Sequence, residues 1–200
     1  GGSDRRGFLK GAGGSLAAGL FAATTAAEAQ TTPESIVHAG VGRPLTEKEK
    51  LARIASNSWP IRYIFKTRSS LADNDASAQM KKKYGEITML DFPDFTKKTF
   101  PGVYHMDLFS GLFGDMGDDS MYVKSSLTFN GRTRTITEFD PSSASGKKWL
   151  EKMANKQVTT GTKCHHISNN APRNICDLDA DKRREGVEVA KKWLDGAAML

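Results

Sequence analysis

The sequence predicts an α/β fold in which parallel strands alternate with helical crossovers. Three observations predict it. The order of elements along residues 51–200 reads strand, helix, strand, insertion, helix, strand, helix. The helices carry start and stop signals of their own. Polar residues gather at the strand ends, where such folds keep their active face.

The first strand is the apolar run 51–57, ending at Asn57. Residues 66–86 are rich in Ser, Asp, Asn and Lys and read as a loop. The stretch 91–100 fits a short helix. Pro93 suits its first turn, Asp91 and Asp94 complement the positive N-terminal dipole, and Lys97 and Lys98 the negative end. Phe92, Phe95 and Thr99 fall on one face. Pro101-Gly102 ends it, and the second strand runs from Val103 to Leu108.

Residues 109–140 read as an insertion. Asn130-Gly131 lies between two β-forming stretches, 125–129 and 132–137, which is a hairpin signal. Pro141 then opens a helix with Ser143 as N-cap. Its expected apolar stripe is Leu150, Met153, Ala154 and Val158, and Gly161 is the stop. The third strand is 162–168. Asp179 caps the last helix, whose stripe is Val187, Ala190, Leu194 and Ala197 with Trp193 alongside. Glu188 and Lys192 are placed to pair on its wet side. No further strand follows residues 180–200, and residue 1 is Gly. The chain is therefore read as part of a longer strand–helix protein.

Ahead of this lies a targeting segment, residues 1–29. Arg5-Arg6 precedes an apolar run from Leu16 to Ala27, and Ala27-Glu28-Ala29 fits a small-x-small cleavage site. The run is too short and too rich in Gly and Ala to span a bilayer stably. The pattern resembles a twin-arginine export signal, which implies the export machinery as a partner and a periplasmic or secreted location. Residues 30–50 read as a linker or surface arm.

Composition narrows the class. Removing residues 1–29 takes three of 29 basic and two of 23 acidic residues and leaves a net charge of +5. Basic and acidic residues are interspersed, with no basic run interleaved with aromatics, so nucleic acid is not implied. The two cysteines, Cys164 and Cys176, read as one buried thiol and one loop thiol rather than a bridge. No G-x-G-x-x-G or Walker loop follows a strand, which weakens a nucleotide-binding open sheet. H-E-x-x-H, C-x-x-C and G-x-S-x-G are likewise missing from the sequence.

The chemistry-bearing residues sit at the expected strand ends. Asn57 ends the first strand. His105 and Asp107 end the second, two apart and so on one face. His165, His166, Ser168, Asn169 and Asn170 end the third. A histidine and a carboxylate on one face can share a proton or a metal. Asn amides donate and accept, which suits the hydroxyls of a sugar. His105, Asp107 and His166 are the candidate catalytic residues, and Asn57 and Asn169 the candidate substrate-binding residues.

Four stretches resemble a known family. Residues 52–66 (ARIASNSWPIRYIFK), 85–109, 147–170 and 175–200 are similar to the sugar phosphate isomerase/epimerase proteins of the xylose isomerase-like barrel superfamily. The resemblance covers about residues 50–200, with 109–140 its loosest part. It implies a (β/α) TIM barrel, of which this chain carries the first three or so strand–helix units. It implies isomerisation or epimerisation of a sugar or sugar phosphate through proton transfer next to a carbonyl. It also implies a divalent metal (Mn, Mg, Zn or Co), held by Glu, Asp, His and Glu from strands beyond Leu200. Two alternatives stay open: a metal-dependent hydrolase of phosphodiesters or sugar derivatives, and a non-catalytic carbohydrate-binding barrel. Open sheet edges in this part of a barrel are also compatible with an oligomer.

Overall fold

The computed structural model describes residues 44–68, 75–129 and 132–200. The expected targeting segment, most of the expected arm and the Asn130-Gly131 pair lie outside them. The described residues from Leu45 onward form one compact α/β unit.

Its centre is a parallel sheet of three strands in the order β1 (Ala55–Asn57), β2 (His105–Phe109), β5 (Lys163–Ser168). The central strand is the middle one of the three in sequence, and both of its neighbours run parallel to it, which requires crossover connections. Between β2 and β5 stands an antiparallel hairpin of β3 (Tyr122–Phe129) and β4 (Arg132–Phe139), with Phe129 opposite Arg132. Residues 125–129 and 132–137 thus form the ladder that the turn signal predicts, and the pairing extends further, to Tyr122 and Phe139.

Helices cover one sheet face. Met106 and Leu108 point to that face and are fully buried with Phe65, Met89 and Phe92. Helix α3 (Phe92–Thr99) has Pro93 in its first turn, where the missing N–H costs nothing. Its Thr96 hydroxyl shares a 2.7 Å hydrogen bond with the buried Ser56 hydroxyl of β1. Thr99 is exposed, so the inner face is Phe92, Phe95 and Thr96 rather than Phe92, Phe95 and Thr99. Helix α4 (Ala144–Thr160) starts at Ser143, whose hydroxyl accepts from Gly146 N at 2.9 Å. It stops at Gly161 in the left-handed conformation, φ 67°. Leu150 and Met153 are buried as expected, but Val158 is 80 % exposed. Its neighbour Gln157 turns inward and accepts from Cys164 N of β5.

Helix α5 (Ala180–Ala197) begins at Asp179, which accepts from Asp181 N at 2.8 Å. Its packed face differs from the expected stripe. Val187 and Leu194 are exposed, whereas Gly186 and Gly196 are buried with Trp193 half-buried beside them. A Cβ on Gly196 would come within 2.8 Å of Pro141 Cβ. The helix therefore packs by close backbone approach at glycines, which an apolar stripe does not reveal. Glu188 pairs with Lys191 at 2.7 Å rather than with Lys192.

Two helices correct the reading of the N-terminal third. Helix α1 (Glu47–Leu51) occupies part of the expected arm, held by a Thr46/Glu49 capping box. It takes Leu51 out of the first strand, which shortens to Ala55–Asn57. Helix α2 (Asp75–Tyr84) lies in the expected loop. Its polar sequence hides it, but Ser77 is buried and donates to Tyr63 O at 2.8 Å, and Met80 packs on the core.

The stretch read as an insertion is part of the core. Leu112, Phe113, Met121 and Phe139 join the same buried cluster. Phe113, Phe139, Trp149 and Trp193 interlock, with Phe113–Trp149 ring centroids 5.1 Å apart and Phe139–Trp193 6.1 Å. Among the described residues no helix is long and apolar enough to cross a membrane.

Candidate functional site

The sheet face turned away from the helices is polar. On β2, His105, Asp107 and Phe109 alternate with the buried Met106 and Leu108. Asn57 lies beside Asp107 in the register and donates to its Oδ2 at 3.0 Å. Ser168 donates to Asp107 Oδ1 at 2.8 Å from the other side. One carboxylate thus ties all three strands across the open face. A carboxylate offers about four lone-pair sites, so two bonds leave it further accepting capacity.

A β-bulge shapes the next position. The register runs Met106 opposite Cys164, then Asp107 opposite His166, so His165 is the extra residue. Cys164 and Ile167 both pack toward the core, and between them His165 and His166 are both exposed. The bulge therefore presents two consecutive histidines on the open side. His165 lies against His105, ring centroids 5.3 Å apart.

The second strand starts two residues later and ends one residue later than expected, which moves its residues along it. β2 continues to Phe109, so His105 opens the strand rather than ending it. Its Nδ1 lies 3.1 Å from Ala52 O, near the amino end of the sheet. His165 and His166 are mid-strand. Asn57 does end β1, and Asn169 does follow β5.

The carboxyl ends of the strands open onto a cavity of about 430 Å³. The segments following all three strands line it: Trp59 after β1, Ser110 and Gly111 after β2, Asn169 and Asn170 after β5. Phe109 forms part of the wall, and Trp59 meets it edge-on at 4.6 Å. Trp59 is itself held in place. Asn57 Oδ1 accepts its backbone N–H at 2.8 Å, and Arg62 stacks on its indole at 4.1 Å. Asn169 Oδ1 accepts from Ser110 Oγ at 2.7 Å and Ala171 N at 3.1 Å. Its amide N–H groups make no hydrogen bond among the described residues and remain available to a ligand. The hairpin supplies the opposite wall through Tyr122 and residues 134–139.

Of the five sequence-predicted site residues, Asn169 lines this cavity. Asn57, His105, Asp107 and His166 lie on the open face below it. Phe109 connects the two regions, since it is two residues above Asp107 on the same side of β2, about 7 Å along the strand. The hairpin wall and Trp59 were not among the sequence candidates. Trp59 carried a signal, as an aromatic just after a strand end. The hairpin residues carried none, because turn chemistry says nothing of what a hairpin packs against.

Burial pushes the Cys164 thiol up to about 11, against a weaker opposing effect of the His166 backbone. Burial likewise pushes Tyr122 up to about 12, with Arg68 opposing. Neither group is a nucleophile at neutral pH. Both cysteines are free thiols, Cys164 half-buried and Cys176 exposed.

The described residues do not by themselves fit the divalent metal that the resemblance implies. No three of their His, Cys, Asp and Glu side chains converge on a common point. The two Asp107 oxygens face Asn57 and Ser168, and His105 Nδ1 faces a carbonyl. Comparisons with family models, curated proteins and solved structures return no match to this chain.

Proposed function

We propose that this protein binds a carbohydrate in the cavity at the carboxyl ends of its strands and acts as an isomerase or epimerase. The supporting observation is that the segments after all three parallel strands converge on one cavity. Aromatic faces there, Trp59 and Phe109, stand beside hydroxyl- and amide-bearing side chains, Ser110 and Asn169. Aromatic faces suit the C–H faces of a sugar ring, and amides suit its hydroxyls.

The open sheet face supports a barrel. Parallel sheets are ordinarily covered on both faces. Here one face is under helices and the other carries the Asn57–Asp107–Ser168 row. In a barrel of the xylose isomerase-like kind that second face is the inner wall, leading up to the cavity. On this reading Asp107 and His166, register partners on β2 and β5, are the groups that move a proton next to the substrate carbonyl. His105 lies on the same face, against His165 at the amino end of the strand. Any metal would be held by groups other than these. Export by the twin-arginine route to the periplasm or beyond completes the proposal.

The test is exchange. The intact protein is incubated with aldoses and ketoses in D2O, with and without added Mn or Mg, and followed by NMR. Interconversion with deuterium entering next to the carbonyl is the expected result, reduced by roughly 10² or more in Asp107→Asn or His166→Gln. Sugar binding without any exchange would leave a binding protein instead.

A further inference from the structure

The hairpin side of the cavity is charged in a way that the carbohydrate reading leaves unexplained. Arg68, Arg134 and Arg173 line the cavity, against Glu138 as its acidic residue. Arg68 is already engaged. It pairs with Asp119, donates to Met116 O and stacks over Tyr122 at 4.8 Å. Arg173 donates to Glu138 Oε1 at 2.7 Å. The other Glu138 oxygen accepts from Ser125 Oγ at 2.8 Å, so the carboxylate is fixed in position as the counter-ion of Arg173. Arg134 stands four residues before Glu138, on the same side of β4. It has no ion-pair partner among the described residues. The wall thus carries a guanidinium with no counter-charge among the described residues and a second whose counter-charge sits in the cavity itself.

We propose that this wall is an anion subsite for a carboxylate or phosphate group of the bound sugar. Arg134 takes the group directly. Arg173 joins it by exchanging Glu138 for the ligand's oxygens, a planar two-pronged contact that guanidinium makes well with either anion. The sugar ring then lies toward Trp59, Phe109 and Asn169 on the opposite side. The subsite rests on the carbohydrate reading for the rest of its ligand. It arises from the hairpin, the part of the chain that the family resemblance covers least.

Trp59 and Trp193 both line the cavity, so tryptophan emission reports its occupancy. Glucose, glucuronate, glucose 6-phosphate and inorganic phosphate are titrated into the intact protein. One or both charged sugars should bind about tenfold or more tightly than glucose, the scale of one charge-assisted hydrogen bond. The tighter of the two identifies the anion as carboxylate or phosphate. Arg134→Gln, at an exposed strand position, should abolish that preference, bringing the charged sugar to the affinity of glucose. Glu138→Gln should act in the opposite direction and tighten the charged sugar several-fold, a gain that general damage to the fold cannot mimic. Equal affinity for charged and neutral sugars, or a preference that survives both Arg134→Gln and Arg173→Gln, would overturn the subsite and leave the carbohydrate reading standing. Inorganic phosphate binding that depends on Arg134, with no sugar binding, would keep the subsite and overturn the carbohydrate reading. No response to any of the four probes would overturn both.

Discussion

Ser168 donates to Asp107 at 2.8 Å across the face of the sheet that the helices leave uncovered. With the Asn57 bond on the other side, this makes Asp107 the point where all three strands are tied by side chains as well as by backbone. The same pair sets the orientation of the carboxylate offered to the open face.

That arrangement predicts a measurable coupling. Ser168→Ala should cost about 1 kcal/mol in urea unfolding, and more if the carboxylate is left short of a donor. In a double-mutant cycle with Asp107→Leu, the two losses should fall short of additive by about 0.5 kcal/mol or more. Strict additivity would mean that the bond contributes nothing to the fold.

The glycine face of α5 gives a contrast between two substitutions. Gly196→Ala places a Cβ 2.8 Å from the Pro141 ring and 3.3 Å from Leu150 Cδ1. Overpacking of this kind costs about 1–3 kcal/mol and should outweigh the helix-propensity gain of about 1 kcal/mol. Leu194→Ala, at a side chain 70 % exposed, should stay within about 0.5 kcal/mol of the parent. Thermal melts of both variants decide it. The reverse order would restore the apolar stripe as the packed face.

Thiol chemistry separates the two cysteines. Iodoacetamide at neutral pH should modify the exposed Cys176 first and leave Cys164 until the protein unfolds. Burial raises the pKa of Cys164 from 9.0 to about 11, and of Tyr122 from 10.0 to about 12. Both groups are neutral when protonated, so the folded state favours the neutral form more than the unfolded state does. Their contribution is fully present below pH 9 and is lost as pH rises through 11 and 12. The urea midpoint should fall across that window, and Tyr122→Phe should remove part of the fall.

The proposed export signal at residues 1–29 makes its own prediction. Replacing Arg5 and Arg6 together with Lys in the full-length gene should stop accumulation in the periplasmic fraction and leave the longer, unprocessed chain in the cytoplasm. Unchanged export on fractionation would remove the twin-arginine proposal.

What the sequence made legible was local. Ser143, Asp179 and Gly161 are legible because a cap is a bond between a side chain or turn and the nearest backbone. The parallel strand alternation is legible for a similar reason, since each strand's own composition marks it. What was hidden depends on partners distant in sequence. Gln157 faces inward in place of Val158 because Cys164 N needs an acceptor. Val187 and Leu194 face outward because α5 approaches through Gly186 and Gly196. Helix α2 is fixed by Ser77 reaching back to Tyr63, which no apolar period announces. The site shows the same division. Asn57, Asp107 and His166 were legible as polar residues on strands, but the bulge at His165 arises only when strands about 60 residues apart are paired, and the charged wall only when the hairpin packs beside the strand ends.

The most direct test of the central claim is a backbone NMR titration of the intact protein with monosaccharides, mapped onto the sequence. The account predicts that shifts concentrate in residues 57–59, 109–111 and 169–173, the three segments that follow the parallel strands, with the indole N–H of Trp59 among the largest. Shifts confined to other surfaces, with these three segments unmoved at saturating sugar, would contradict it.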